Sequence, residues 1–161
     1  MPAHPGASLH LLDYINPKCV RVGLVSRNKD AAIRLMVDLA VQEGLVGDGS
    51  RFLEAVKARE EVVSTGIGNG VAIPHADAPE IERPQLAVGV FPGGVDYDAL
   101  DEEPVHVVFL LMGTPRTPGL HMRILALIAR LCKDPDFVRS LSRAERAEEV
   151  LSTLTRIEAR H

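Results

Sequence analysis

The stretch STGIGNGVAIPHA, Ser64 to Ala76, sets three glycines within five residues ahead of an apolar triplet and ends that triplet on Pro-His. Gly66, Gly68 and Gly70 mark backbone that must turn tightly or leave room for something. Val71-Ala72-Ile73 reads as a short buried strand, and Pro74, with no N–H to donate, is expected to end its ladder. His75 then falls where a strand stops, a common place for working side chains. A hairpin or bulge with an incidental histidine fits the same spacing.

Around this stretch, a chain of 161 residues is long enough for one domain with a real core. Hydrophobic residues at 46% and charged residues at 25% place it among ordinary soluble globular proteins. The net charge of −4 and the scattered basic residues leave no footprint for nucleic acid. The longest apolar run, Val107 to Met112, is far short of the ~20 residues that span a bilayer. No basic segment followed by an apolar one opens the chain, so no secretory signal is read. Cys19 and Cys132 lie far apart without a CxxC pairing. Each reads as a small apolar residue in a reducing compartment, which points to the cytoplasm.

Along the chain, residues 1–8 are expected to be a flexible tail and residues 9–161 a single domain. Val20 to Val25 reads as a first strand. Ser26 or Asn28 caps a helix to about Glu43, with Ile33, Met36, Val37, Ala40 and Val41 on one face and Gly44 to end it. Asp48-Gly49-Ser50 opens a second helix to about Glu61, with Phe52, Leu53 and Val56 inside. Leu86 to Phe91 reads as a strand closed by Pro92-Gly93-Gly94, and Val105 to Met112 as a central strand covered on both faces. A strongly apolar helix is expected from His121 to Lys133. Asp134-Pro135 opens a short helix to about Ser140, and Ser142-Arg-Ala-Glu145 matches a capping box that would start the last helix. Alternating strands and helices predict an α/β fold: a single-domain three-layer sandwich, with helices on both faces of the sheet.

Among the six histidines, His4, His10 and His161 read as solvated and His106 as structural, with its ring hydrogen-bonded. His75 and His121 remain. None shows H-x3-H or HExxH spacing, so no metal site is expected. His121, in the first turn of a helix after Pro118 and Gly119, meets partial positive charge and free N–H groups, which lower an imidazole pKa and attract anions. A helix-start residue without a task fits equally. Arg59, in the last turn of the second helix, either complements the helix dipole or aims its guanidinium at an anion. Glu60 and Glu61 read as solvated helix-end charges. The glycines form neither GxGxxG after a strand nor GxxxxGK[ST], which argues against a nucleotide site.

The run REEVVSTGIGNGVAIPHA, Arg59 to Ala76, closely resembles the active-site signature of the fructose/mannitol-type EIIA domains of the bacterial phosphoenolpyruvate-dependent sugar phosphotransferase system, a family that includes the nitrogen-regulatory EIIA proteins. VDYDALDEEPVHVVFLLMGTPRTPGLHMRILALIARL, Val95 to Leu131, resembles the family's second half, and the likeness covers roughly residues 9–155. It implies a mixed β-sheet flanked by helices, with His75 taking a phosphoryl group from the phosphocarrier HPr and no cofactor. Arg59 and His121 map onto positions that assist phosphoryl binding. The acceptor would be an EIIB component in sugar uptake or, in the regulatory members, a target protein. Met122 stands where the family usually has leucine, and the composition of the loop Gly113 to Gly119 does not match one subfamily.

Phosphoryl transfer needs alignment and charge stabilisation, and neutral imidazole is both nucleophile and leaving group near pH 7. On this reading Gly68 and Gly70, with Ser64 and Thr65, build a phosphate-binding cradle around His75.

Overall fold

The computed structural model describes residues 9–161, so the expected tail at residues 1–8 lies outside the described residues. Its elements are β1 (Ile15–Arg21), α1 (Lys29–Gln42), α2 (Gly49–Val62), β2 (Gly66–Gly68), β3 (Val71–Ala72), β4 (His75–Asp77), β5 (Gln85–Val95), β6 (Val105–Gly113), α3 (Pro118–Leu131), α4 (Pro135–Ser142) and α5 (Ala147–Glu158), after a single 3-10 turn at Leu11–Asp13. The strands form one sheet in the order β1-β5-β6-β3-β2, with β4 also paired to β6. β5 runs antiparallel to β6, whereas β3 and β4 run parallel to it.

Alternation along β6 explains the layers. Val107, Phe109 and Leu111 pack with Ile124, Leu127, Phe137, Val150 and Leu154 on one face. Val108, Leu110 and Met112 pack with Ile33, Met36, Phe52 and Val56 on the other. Helices α3, α4 and α5 therefore cover one side and α1 and α2 the other, the three-layer α/β arrangement expected. Each fully buried side chain of this size contributes about 1.5–3 kcal/mol. Asn28 Oδ1 accepts from the Ala31 N–H at 2.9 Å and Asp48 Oδ1 from the Arg51 N–H at 3.1 Å, which fixes the starts of α1 and α2.

Several boundaries differ from the sequence reading. The first strand is Ile15–Arg21 rather than Val20 to Val25; it sits at the sheet edge, where Pro17 is tolerated. β5 runs past Pro92-Gly93-Gly94 to Val95, because the register shifts between Val90 and Val95 and exposes the proline. The capping box at Ser142 does not form: Ser142 closes α4 with its hydroxyl on the Arg139 carbonyl, and α5 starts at Ala147.

Pro74 does not end the ladder. β3 pairs Val71 with Val107 and Ala72 with Val108; β4 then pairs His75 with Leu111, Ala76 with Met112 and Asp77 with Gly113. The register along β6 is the same on both sides of Ile73-Pro74. Proline lacks the donor but keeps the acceptor, and its carbonyl takes the Leu111 N–H at 3.0 Å. His75 thus begins a resumed strand instead of following a finished one.

Candidate functional site

Because β4 and β6 are parallel, both reach their carboxyl ends together, the usual side for a site in an open α/β sheet. His75 and Asp77, two apart on β4, share one face. The last turn of α2 brings Arg59 beside them, and the first turn of α3 brings His121. These four side chains line a cleft of ≈ 330 Å³ with Ala55 and the exposed Met122 at its edges. The His75 and His121 rings meet edge to face, with centroids 5.1 Å apart.

His75 Nδ1 lies 2.7 Å from the Ile73 carbonyl oxygen. A carbonyl only accepts, so Nδ1 carries the proton and Nε2 keeps its lone pair. Burial holds the His75 pKa below its ordinary value against that hydrogen bond, and the Arg59 guanidinium lowers it further; Glu60 and Asp77 act the other way. The His121 pKa is also lowered, first by burial and then by His75, with Asp77 opposing. Both rings are accordingly neutral at pH 7, and His75 offers a free nitrogen.

α3 begins at Pro118, three residues before the start expected for it, and the His121 N–H is spent on the Thr117 carbonyl at 3.2 Å. Its backbone offers no donor to an anion. Arg59 Nη1 donates to the Val63 carbonyl at 2.9 Å, which leaves the rest of its fork open to the cleft.

The other four expected site residues are not brought to this cleft. Ser64 Oγ accepts from the Gly66 N–H at 3.1 Å, and the buried Thr65 hydroxyl bonds Glu60 and, at 3.0 Å, Tyr97 Oη. Gly68, Asn69 and Gly70 have φ of 98°, 57° and 80°, a run of left-handed backbone that makes the β2–β3 turn and explains both glycines. The space above Gly68 is closed by the Asp101 carboxylate at 3.3 Å and that above Gly70 by Val138 at 3.0 Å. His106, as expected, has its ring bonded, with Nδ1 3.2 Å from the Phe91 carbonyl oxygen.

Among the described residues no group of three or more His, Cys, Asp or Glu side chains could hold a metal ion, and no helix is long and apolar enough to cross a membrane. Residues 13–157 match the family described as the phosphoenolpyruvate-dependent sugar phosphotransferase system, EIIA 2. The chain belongs to this EIIA family. This EIIA domain is 33% identical over 154 residues to a nitrogen regulatory protein of Klebsiella oxytoca, covering 92% of each chain. It is 29% identical over 146 residues to the fructose-specific EIIABC component of Bacillus subtilis, covering 91% of this chain but only 23% of that longer one. Its fold superposes on the crystal structure of the nitrogen regulatory protein IIA-Ntr from Neisseria meningitidis with a TM-score of 0.80 at 26% identity, over 88% of this chain and 97% of the other.

Two features of the EIIA domain escaped the sequence reading. Glu60, expected in solvent, is 6% exposed: it pairs with Lys29 Nζ at 3.1 Å and accepts from the Thr65 N–H and hydroxyl and from Tyr97 Oη at 3.0 Å. Its partner Lys29 lies some thirty residues back in the chain, on another helix, and no local pattern reports the pair. Asp77 stands in the cleft, and its spacing of two from His75 in a strand was the available clue.

Proposed function

We propose that His75 is the phosphoryl acceptor of this EIIA domain, charged by phospho-HPr and discharged to an EIIB component during uptake of a fructose- or mannitol-type sugar. The observation that carries this reading is the hydrogen bond from His75 Nδ1 to the Ile73 carbonyl, which leaves Nε2 as the nucleophile. The Nε2 lone pair attacks phosphorus, the donor's P–N bond breaks, and its electron pair returns to the donor imidazole. With Nδ1 still protonated the phosphorylated ring is cationic, which makes it a good leaving group for the onward step. Arg59 offsets charge on the phosphoryl oxygens and His121 donates to them. Ser64, Thr65, Gly68 and Gly70 support the reading at one remove, by holding the segment that leads into β3 and β4. We assign this chemistry to the cytoplasm, where the buried free thiols of Cys19 and Cys132 stay reduced.

Incubation with phosphoenolpyruvate, Enzyme I and HPr, read by intact mass, is expected to add one acid-labile phosphoryl group to the wild-type chain and none to His75→Ala. Label on His75→Ala would sink the assignment. A second reading, a regulatory EIIA protein whose phosphorylation state switches binding to a target, is favoured by the nitrogen regulatory relative that matches 92% of each chain. A chase separates the two: label that moves to an EIIB protein supports carriage, and label that stays supports the switch.

A further inference from the structure

The cleft holds one carboxylate to which the transfer chemistry assigns no task. Asp77 follows His75 by two residues on β4 and faces the same way. Its partner across the sheet is Gly113, and a Cβ at that glycine would stand 2.8 Å from Asp77 Oδ1 and overlap His121 Nδ1. The two side chains therefore share the space left by one missing side chain. His121 Nδ1 is buried with no hydrogen-bond partner among the described residues, an unusual state for a ring nitrogen. A turn of the exposed Asp77 carboxylate toward the gap would give Nδ1 an acceptor once that nitrogen carries a proton.

We propose that Asp77 is a positioning residue acting through His121: its carboxylate accepts a hydrogen bond from Nδ1–H of His121 when a phosphoryl group occupies the cleft and the ring takes up a proton, so that Nε2–H of the imidazolium is held toward the phosphoryl oxygens. The inference rests on the phosphocarrier reading above. The proton comes from solvent, His121 passes from neutral to charged, and no other bond changes. The charged groups facing His121 in the cleft are Arg59 from α2, which opposes that charge, and Asp77 from β4, which favours it, with His75 as the third titrating neighbour.

The test is an NMR titration of the His121 ring nitrogens in the wild-type chain, Asp77→Asn and Asp77→Glu, followed by the pH profile of phosphoryl transfer from phospho-HPr in the same three proteins. Asp77→Asn is expected to lower the His121 midpoint by about half a unit or more, the order expected for losing a nearby opposite charge. It should move the alkaline limb of the transfer profile down by a similar amount, and Asp77→Glu should restore both. An unchanged His121 midpoint in Asp77→Asn, or an unchanged profile, overturns the proposal. Should the wild-type chain accept no phosphoryl group, the phosphocarrier reading falls by itself, and the midpoint in the unphosphorylated proteins still decides whether Asp77 governs His121.

Discussion

Lys29 and Glu60 join α1 to α2 through a 3.1 Å ion pair, with the Glu60 side chain almost fully out of water. The same carboxylate accepts from Thr65 and from Tyr97, whose phenol burial pushes well above its ordinary pKa. Glu60→Ala strands the Lys29 cation and removes the acceptor that Thr65 and Tyr97 share, leaving their hydroxyls only the bond to each other, and is expected to cost about 2–4 kcal/mol. Glu60→Gln should cost less, since it keeps an acceptor. Urea denaturation of both, with Lys29→Ala and the double variant, checks this: the double loss should be smaller than the two single losses combined.

Among the described residues Arg59 makes one side-chain hydrogen bond, to the Val63 carbonyl, and none to a carboxylate. Arg59→Ala is expected to change folding stability by less than ~1 kcal/mol and to slow phosphoryl transfer by about tenfold to a hundredfold, the range for a lost charge-assisted hydrogen bond. Single-turnover transfer from phospho-HPr measures it. Equal rates would return Arg59 to the role of a helix-end charge.

Both His75 and His121 have folded pKa values below the ordinary 6.5, chiefly through burial. A depressed value means the fold prefers the neutral ring, so the stability each contributes is complete above about 6.5 and drains away as pH falls through the folded value. The wild-type melting temperature should therefore drop between pH 7.5 and pH 5.5 by more than that of a His75→Gln, His121→Gln double variant, as followed by circular dichroism. Equal drops would count against buried neutral rings.

Gly113→Ala places a methyl group where His121 and Asp77 meet. We expect a stability loss of about 1–3 kcal/mol from overpacking and a larger proportional loss of transfer, because both ring and carboxylate must move aside. Thermal melts and single-turnover rates on the same preparation separate the two effects.

Burial pushes the thiols of Cys19 and Cys132 up to about 11 and about 12. In the native protein at pH 8 neither should react with a disulfide reagent on the timescale of a free thiol, and both should react at once in urea. Rapid native labelling of either would mean that its surroundings open far more often than the packing implies.

Periodicity carried much of the architecture. Ile33, Met36, Val37 and Ala40 mark α1, and the unbroken apolar run of β6 marks a strand covered on both sides. Failures cluster where tertiary pairing overrules local chemistry. Pro92 looks like a strand breaker until a shift of register carries β5 beyond it, and Ser142 looks like a cap until α4, with Phe137 and Leu141 buried, runs out to it. At the site, position in an element left the tasks of His75, His121 and Arg59 open, and the resemblance to the EIIA family singled them out; the fold brings the three to one cleft. The burial of Glu60 was not legible, since its partner lies on another helix. The glycines were read for the wrong close approach: they serve a turn, and the glycine that makes room beside the histidines is Gly113, far along the chain in β6.

The Ile73-Pro74 interruption has a consequence for how partners must behave. His75 is spliced into register with the central strand β6, anchored before it by the Pro74 carbonyl on the Leu111 N–H and after it by the Ala76–Met112 pairing. Its backbone cannot move toward a donor without breaking the pairing of β4 with β6. On the reading proposed above, the histidine is a fixed post, and the searching in each hand-over falls to whatever docks on it. The Leu111 amide should accordingly exchange with solvent only as fast as the whole domain unfolds, equally slowly whether His75 is charged or empty.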